Sequence, residues 1–403
     1  ACALAVAAAV GSGLGQVGAA PWGFVVAGGA IVLRRPLPAA VLILALGAGL
    51  SASWRDATSP PSDGALIVFE ARVGSDPAQD RRGGWEFVAV PARGDSNGLG
   101  GIRLAVSVEA DPGVVVGETV AIQGRLSVRR GRLHRSLVGG WVAARSITPV
   151  AAAQGPIALA NSVRQRVHGE FPVATEAGAL MRGFLIGDTD AVRSTRLEEM
   201  RRAGLLHFVA VSGGNVAVFL GAVWLGFGVV PLGPRLRAVL GLGAVLIFVL
   251  ITRWEPSVVR AGLMMALLLL GRVAGVPIDG WVALGGAAAV SALAAPQLVF
   301  DVGFQLSVVA TAGLLLGSHL WLERRPRWFW ASLGATLAAQ VAVLPLLLAT
   351  FGEVPAFAAV ANVAASPLVA LATASGWAAT FTGFDGLASA AEVAAGGVIE
   401  LSG

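Results

Sequence analysis

Lysine and tyrosine are absent from this chain, and cysteine occurs once, at Cys2. A single thiol excludes an internal disulfide and any thiolate metal cluster. The four histidines, His134, His168, His207 and His319, lie too far apart for metal-ligand spacing, and no HxxEH, HExxH or HxHxDH pattern occurs. No metal, cofactor or hydrolytic centre of those kinds is therefore expected. Charge is also scarce, at 13% of residues against 56% hydrophobic, with a mean hydropathy of +0.75. A soluble domain of 403 residues has no use for that much apolar surface, so the chain reads as a polytopic α-helical membrane protein.

With lysine missing, all 29 basic residues are arginine, and the formal net charge is +5. Arginine, alanine, glycine and valine share GC-rich codons, so this bias says little about function; the placement of the arginines says more. The chain begins without Met, as a piece of a longer protein would.

One window lacks long apolar runs. Residues 1–52 read as N-terminal membrane segments, interrupted at Pro21 and at Arg34-Arg35-Pro36. From there, 53–150 reads as a soluble insert. Its segments 65–73, 84–93, 102–110, 114–128 and 140–147 are rich in β-branched residues and bounded by Gly, Pro, Asp and Asn. Five short strands in so small a span suit an OB-like β-barrel. Between the last two lies RRGRLHR, with Arg129, Arg130, Arg132 and Arg135. It reads either as a solvated basic turn or as a contact for a phosphate backbone. Aromatic stacking partners in the insert are few (Phe69, Trp85, Phe87, Trp141).

Residues 151–203 read as interfacial helices. Leu159, Val163, Val167 and Phe171 recur every four residues, with Asn161, Arg164, Arg166 and His168 on other faces. Residues 177–187 form a short apolar helix carrying Arg182, and Thr195 with Glu198 makes a capping box for the polar helix that follows. Residues 204–403 are the membrane core, with spans expected over 204–230, 238–252, 257–270, 281–295, 302–320, 329–350 and 356–381. With the insert outside, Arg34, Arg35, Arg235, Arg237, Arg272, Arg324, Arg325 and Arg327 all fall on the inner face, as the positive-inside rule asks.

Three breaks interrupt this core. Ser212-Gly213-Gly214-Asn215 follows His207 in GLLHFVAVSGGNVAVF. Arg253-Trp254-Glu255-Pro256-Ser257 precedes Arg260, and Pro256 suits a first helical turn. Pro296 to Asp301 precedes VGFQLS, with Asp301 as an N-cap and Gln305 in the next turn. Each break starts a helix whose free N–H groups and positive dipole end face it, a way to hold an anion inside a membrane. The same features also serve plain structure: glycines allow tight packing, Glu255 and Asp301 cap helices or pair with Arg253 and Arg260, and His207 suits a buried, hydrogen-bonded site.

The motifs GLLHFVAVSGGNVA, LIGDTDAVRSTRLEEMRRAG, WEPSVVRAGLMM, DVGFQLSVVATAGLLL and QVAVLPLLLATFGEVPAFAAVANVAASPLVAL resemble, in order, those of the ComEC-type competence membrane protein family. The OB-type insert after a few N-terminal spans is also that family's arrangement. The resemblance implies a channel in the cytoplasmic membrane that passes single-stranded DNA inward during natural transformation, surrounded by membrane lipid, with the OB-like domain outside. A competence DNA receptor and a cytoplasmic translocase are the implied partners. Many members carry a metallo-β-lactamase-like domain; the residues here show no HxHxDH motif, so no nuclease activity or zinc is assigned. On this reading His207, Ser212, Gly213, Asn215, Glu255, Arg260, Asp301 and Gln305 line or brace the path. A transporter of another anionic polymer or metabolite is the alternative, although the two halves show no clear self-similarity. A membrane-embedded enzyme using His207, Ser212 and Asp301 is another. Five residues separate His207 from Ser212, about 140° round an ideal helix, which opposes a direct pair without the break.

Overall fold

The computed structural model describes residues 63–402, except 81, 93–98, 101, 130, 134–135, 210, 212, 228–231, 295–300, 318–326 and 353–357. The segments expected over 1–52, with Arg34 and Arg35, lie outside the described residues, as do Arg324 and Arg325. Two compact units divide between Gln165 and Arg166.

The first unit is a barrel of β1 (Leu66–Val73), β2 (Ala78–Gln79), β3 (Trp85–Pro91), β4 (Leu104–Val108), β5 (Thr119–Ser127), β6 (Gly131–Leu133), β7 (Ser136–Val138) and β8 (Gly140–Ala151). The sheet order is β1-β5-β8-β4-β3-β2, and a further pairing of β1 with β3 closes it. The β4–β8 pair is parallel and the others are antiparallel. Strict alternation along β1 sends Ile67, Phe69, Ala71 and Val73 inward, where they meet Phe87, Leu104, Val106, Val120, Ile122, Leu126 and Val142. Closure at β5–β8 needs a glycine: a Cβ on Gly124 would lie 2.5 Å from the carbonyl oxygen of Ala143, at a register shift between Gln123 and Gly124. The expected basic turn is instead a two-stranded hairpin, β6–β7, whose Leu133 and Val138 cover Val88, Ala105 and Trp141.

Helix α1 (Gly155–Glu170) follows. Its expected apolar stripe is only partly a buried one. Val163, Val167 and Phe171 are buried, but Leu159 is exposed, and Asn161 and Arg164 are buried instead. The reason is polar docking: Asn161 Nδ2 donates to Val116 O (2.9 Å), and Arg164 pairs with Asp76 (3.0 Å).

The second unit is helical. Helix α2 (Glu176–Ile186) is capped by Thr175, whose hydroxyl accepts from Gly178 N, and ends at Gly187 in the left-handed region. Arg182 Nε and Nη2 donate to Phe171 O (2.6 Å) and His168 O (2.8 Å), putting a cation on the free carbonyls that end α1. Helix α3 (Ser194–Arg202) does not form the expected capping box. It starts two residues earlier, with Arg193 at the N-cap and no side-chain cap, and the Glu198 carboxylate is taken by Arg201 and Arg202.

Then come α4 (Leu206–Val209), α5 (Gly213–Phe227), α6 (Pro234–Ile251), α7 (Pro256–Ala274), α8 (Gly280–Ala294), α9 (Val302–Gly317), α10 (Arg327–Phe351), α11 (Ala358–Thr382) and α12 (Asp385–Ser402). Among the described residues four stretches are long and apolar enough to cross a membrane: α6, α7, Leu333–Thr350 of α10 and Ala361–Thr382 of α11. Helices α6 and α7 pack antiparallel. A Cβ on Gly241 would meet Leu269 at 3.1 Å, and one on Gly262 would meet Val249 at 3.1 Å and Val245 at 3.2 Å. Phe219 of α5, Phe248 of α6 and Trp377 of α11 interlock, with ring centroids 4.7 to 5.9 Å apart. The fold class is the one expected: an α-helical membrane-type protein with an inserted OB-like barrel.

Candidate functional site

Two of the three expected breaks meet. Helix α4 stops at Val209, Val211 is non-helical, and α5 starts at Gly213; Ser212 itself lies outside the described residues. The C-terminal turn of α2 backs this break. A Cβ on Gly183 would lie 3.2 Å from Val209 Cγ1, and one on Gly187 3.2 Å from Val211 Cγ2. Asn215 is buried, and its Nδ2 donates to Phe184 O (2.8 Å), one of the carbonyls that the end of α2 leaves free. Asn215 is therefore a brace between α5 and α2.

The second break has a defined geometry. Helix α6 ends with Trp254 N donating to Val249 O (3.0 Å) and Arg253 N to Leu250 O (3.2 Å), the paired bonds of a Schellman motif. Glycine is usual at the left-handed position; here Arg253 (φ 54°) occupies it and Trp254 (φ 58°) follows in the same region. Such backbone costs about 1–3 kcal/mol per residue and persists where the surroundings enforce it. Pro256 opens α7 at its first turn, as expected, and Glu255 stands at the N-cap without a side-chain capping bond.

The two breaks join through α7. Ser257 Oγ donates to Val211 O (2.7 Å), and a Cβ on Gly213 would lie 3.2 Å from Ala261 Cβ. Ser257 and Ala261 are one turn apart on one helix face, and Arg260 shares it. Arg260 is 3% exposed, and its Nε and Nη1 are buried with no hydrogen-bond partner among the described residues. A guanidinium carries five donors in a fixed fork, so two shielded N–H groups with no acceptor leave a strong electrostatic demand for an anion. The first turn of α5, which begins at glycines, adds backbone N–H groups and the positive end of its dipole beside that face.

His207, Asp301 and Gln305 have contacts of their own. His207 Nδ1 lies 3.0 Å from Gly204 O, and its ring packs on Phe208 with centroids 4.2 Å apart. Asp301 caps α9, its Oδ1 accepting from Phe304 N (3.0 Å), while Gln305 N donates to Asp301 O (3.0 Å). On the barrel, Arg129 is exposed and Arg132 lies on β6, while Arg130 and Arg135 fall outside the described residues. Sequence reasoning missed Ser257 as a site residue and Arg182 as the anchor of α1. The first was signalled by its place after Pro256 with Arg260 three residues on.

A model of the Competence protein family matches residues 184–402, more than half of the chain. That stretch takes in the whole junction and the helices around it. ComE operon protein 3 of Bacillus subtilis (strain 168) is 26% identical over 182 residues, which cover 44% of this chain and 23% of that protein. The chain thus matches less than a quarter of the length of that relative. No solved structure matches the chain. With the match running from the end of α2 through α12, the chain belongs to the Competence protein family.

Proposed function

We propose that this chain is a multi-pass protein of the cytoplasmic membrane, with its OB-like barrel outside, and that it conducts single-stranded DNA into the cell during transformation. The family supports a role in DNA uptake. The observation that carries the finer reading is Arg260, buried among apolar helices beside two helix starts, with two nitrogens that have no partner among the described residues. An ionised side chain at membrane depth costs about 2.5–3.5 kcal/mol even on insertion scales, and such groups mark pathways. A strand carries one charge per phosphate, so a path through lipid must offer positive ends without binding each phosphate tightly. Arg260 and the glycine start of α5 offer that. Ser257, Asn215 and the Schellman end of α6 hold the two in place, and Asp301 fixes the start of α9. Residues 204–403 form the conducting part on this reading, and Arg129, Arg130, Arg132 and Arg135 meet the incoming backbone. A surface DNA receptor delivers the strand, and a cytoplasmic translocase draws it in.

The test is internalisation of labelled DNA in a deletion strain complemented with the full-length gene. Loss of a charge-assisted contact, about 1.5–3 kcal/mol, lowers uptake by Arg260→Gln roughly tenfold or more. Arg260→Lys keeps part of it, with surface-bound DNA and protein level unchanged. Normal uptake by Arg260→Gln at normal protein level places the path elsewhere.

A further inference from the structure

We infer that the end of the α6–α7 pair holds the phosphate headgroup of an anionic phospholipid. A cleft of about 420 Å³ opens there, lined by Trp224 of α5, Pro234, Arg237 and Ala238 of α6, and Leu269 and Arg272 of α7. Antiparallel packing, Gly241 on Leu269 and Gly262 on Val245, brings the first turn of α6 and the last turn of α7 to one level. Arg237 and Arg272 are thereby set on the two sides of one opening. Both are exposed, and neither has an acidic partner among the described residues.

The start of α6 adds to the field. Its N-cap is Gly233, which offers no side-chain acceptor, and Pro234 has no N–H; among the described residues no side chain caps the dipole's positive end. The floor is of the opposite character. Leu220, Ala238, Val245 and Leu269 form a buried apolar cluster against which Trp224 packs. A basic rim over an aliphatic floor, with an indole at the edge and the ends of two membrane-length helices beneath, matches a phosphodiester attached to acyl chains. A free phosphate uses the rim but not the floor, and a DNA strand has no acyl chain to lay on it. The cleft is separate from the DNA path proposed above. Arg260 and Arg272 stand twelve residues apart on α7, about 18 Å along its axis, so the inference holds whether or not the chain conducts DNA.

Native mass spectrometry of the full chain in detergent tests it, with phosphatidylglycerol or phosphatidylcholine added. Phosphatidylglycerol is retained roughly tenfold more tightly than phosphatidylcholine, and Arg237→Gln/Arg272→Gln removes that preference. Arg272→Gln alone removes part of it. Arg235→Gln, two residues from Arg237 and about 200° round α6, outside the cleft, keeps it. Both cleft arginines are exposed, so the variants keep the fold, checked by an unchanged melting temperature. Equal retention of the two lipids by the wild type overturns the inference, as does an equal loss in Arg235→Gln, which would mean diffuse surface charge. Displacement of phosphatidylglycerol by inorganic phosphate, or by a short oligothymidylate at equal concentration, assigns the site to that ligand instead and also overturns it.

Discussion

The barrel and the helical unit hold themselves together by different means. In the barrel a closed core holds the largest apolar side chains: Phe87, Leu104, Ile122 and Leu126 are all at most 1% exposed, while Leu66 and Val68 stand on the outer face of β1. In the helical unit many point outward, with Val341 68%, Leu316 59% and Leu348 51% exposed. Buried polar groups are mixed in both: Asn161 Nδ2 and Arg164 are paired, as Asn215 is in the helical unit, while Asn161 Oδ1 and, among the helices, Arg260 Nε and Nη1, Trp377 Nε1 and Thr373 Oγ1 are buried with no hydrogen-bond partner among the described residues. The barrel is a water-soluble object that folds by removing apolar area from water. The helices keep their apolar area for lipid, so close helix contacts must supply what burial supplies in the barrel.

The sharpest way to break this contrast is a cavity in the barrel. Phe87→Ala removes a fully buried ring from its centre and costs about 3–5 kcal/mol, read as a fall in the barrel's denaturant midpoint. A smaller cost would mean that the barrel core relaxes and is less close-packed than its burial implies. The helical counterpart adds atoms. Gly313 and Gly317 of α9 lie against α10, where a Cβ would come within 2.7 Å of Ala338 O and 2.6 Å of Gly334 O. Those are backbone atoms that cannot step aside. Gly317→Val therefore forces the pair apart, at about 1–3 kcal/mol, seen as a lower melting temperature in lipid nanodiscs. Wild-type stability would mean that the helices are held by lipid alone.

The same contrast governs what was legible in the amino-acid order. Alternation gives the five main strands to within a few residues at most ends, because each buries one face in water. The β6–β7 hairpin was hidden because RRGRLHR has no alternation; among the described residues Leu133 and Val138 pack against the barrel. In the helical unit local chemistry marks the starts: Pro256 opens α7 and Asp301 caps α9. The end of α6 was not legible as a Schellman motif, since Arg253 stands where glycine is usual. The Asn215–Phe184 bond spans 31 residues, and no local pattern encodes it. The Thr195–Glu198 box does not form: the helix starts two residues earlier, and two arginines one turn later compete for the same carboxylate and hold it.

That competition gives the smallest and most specific effect. Glu198 accepts from Arg201 Nε (2.7 Å) and Nη2 (2.8 Å) and from Arg202 Nε (3.0 Å). The Arg201 bonds first, and the Arg202 bond second, lower its carboxyl from 4.5 to about 2. A carboxylate lowered by folding contributes its stabilisation in full above its unfolded value, and loses it as pH falls through the folded one. Here the loss runs from about pH 4.5 down to about 2. Glu198→Gln should therefore sit slightly below the wild type in melting temperature from pH 7 to pH 5, and the gap should close near pH 2. High salt should narrow it at every pH, since the three residues are on the surface. A gap that persists at pH 2 would mean that Glu198 acts through packing of its stem, and α3 would then be held as the barrel is, by contact rather than by charge.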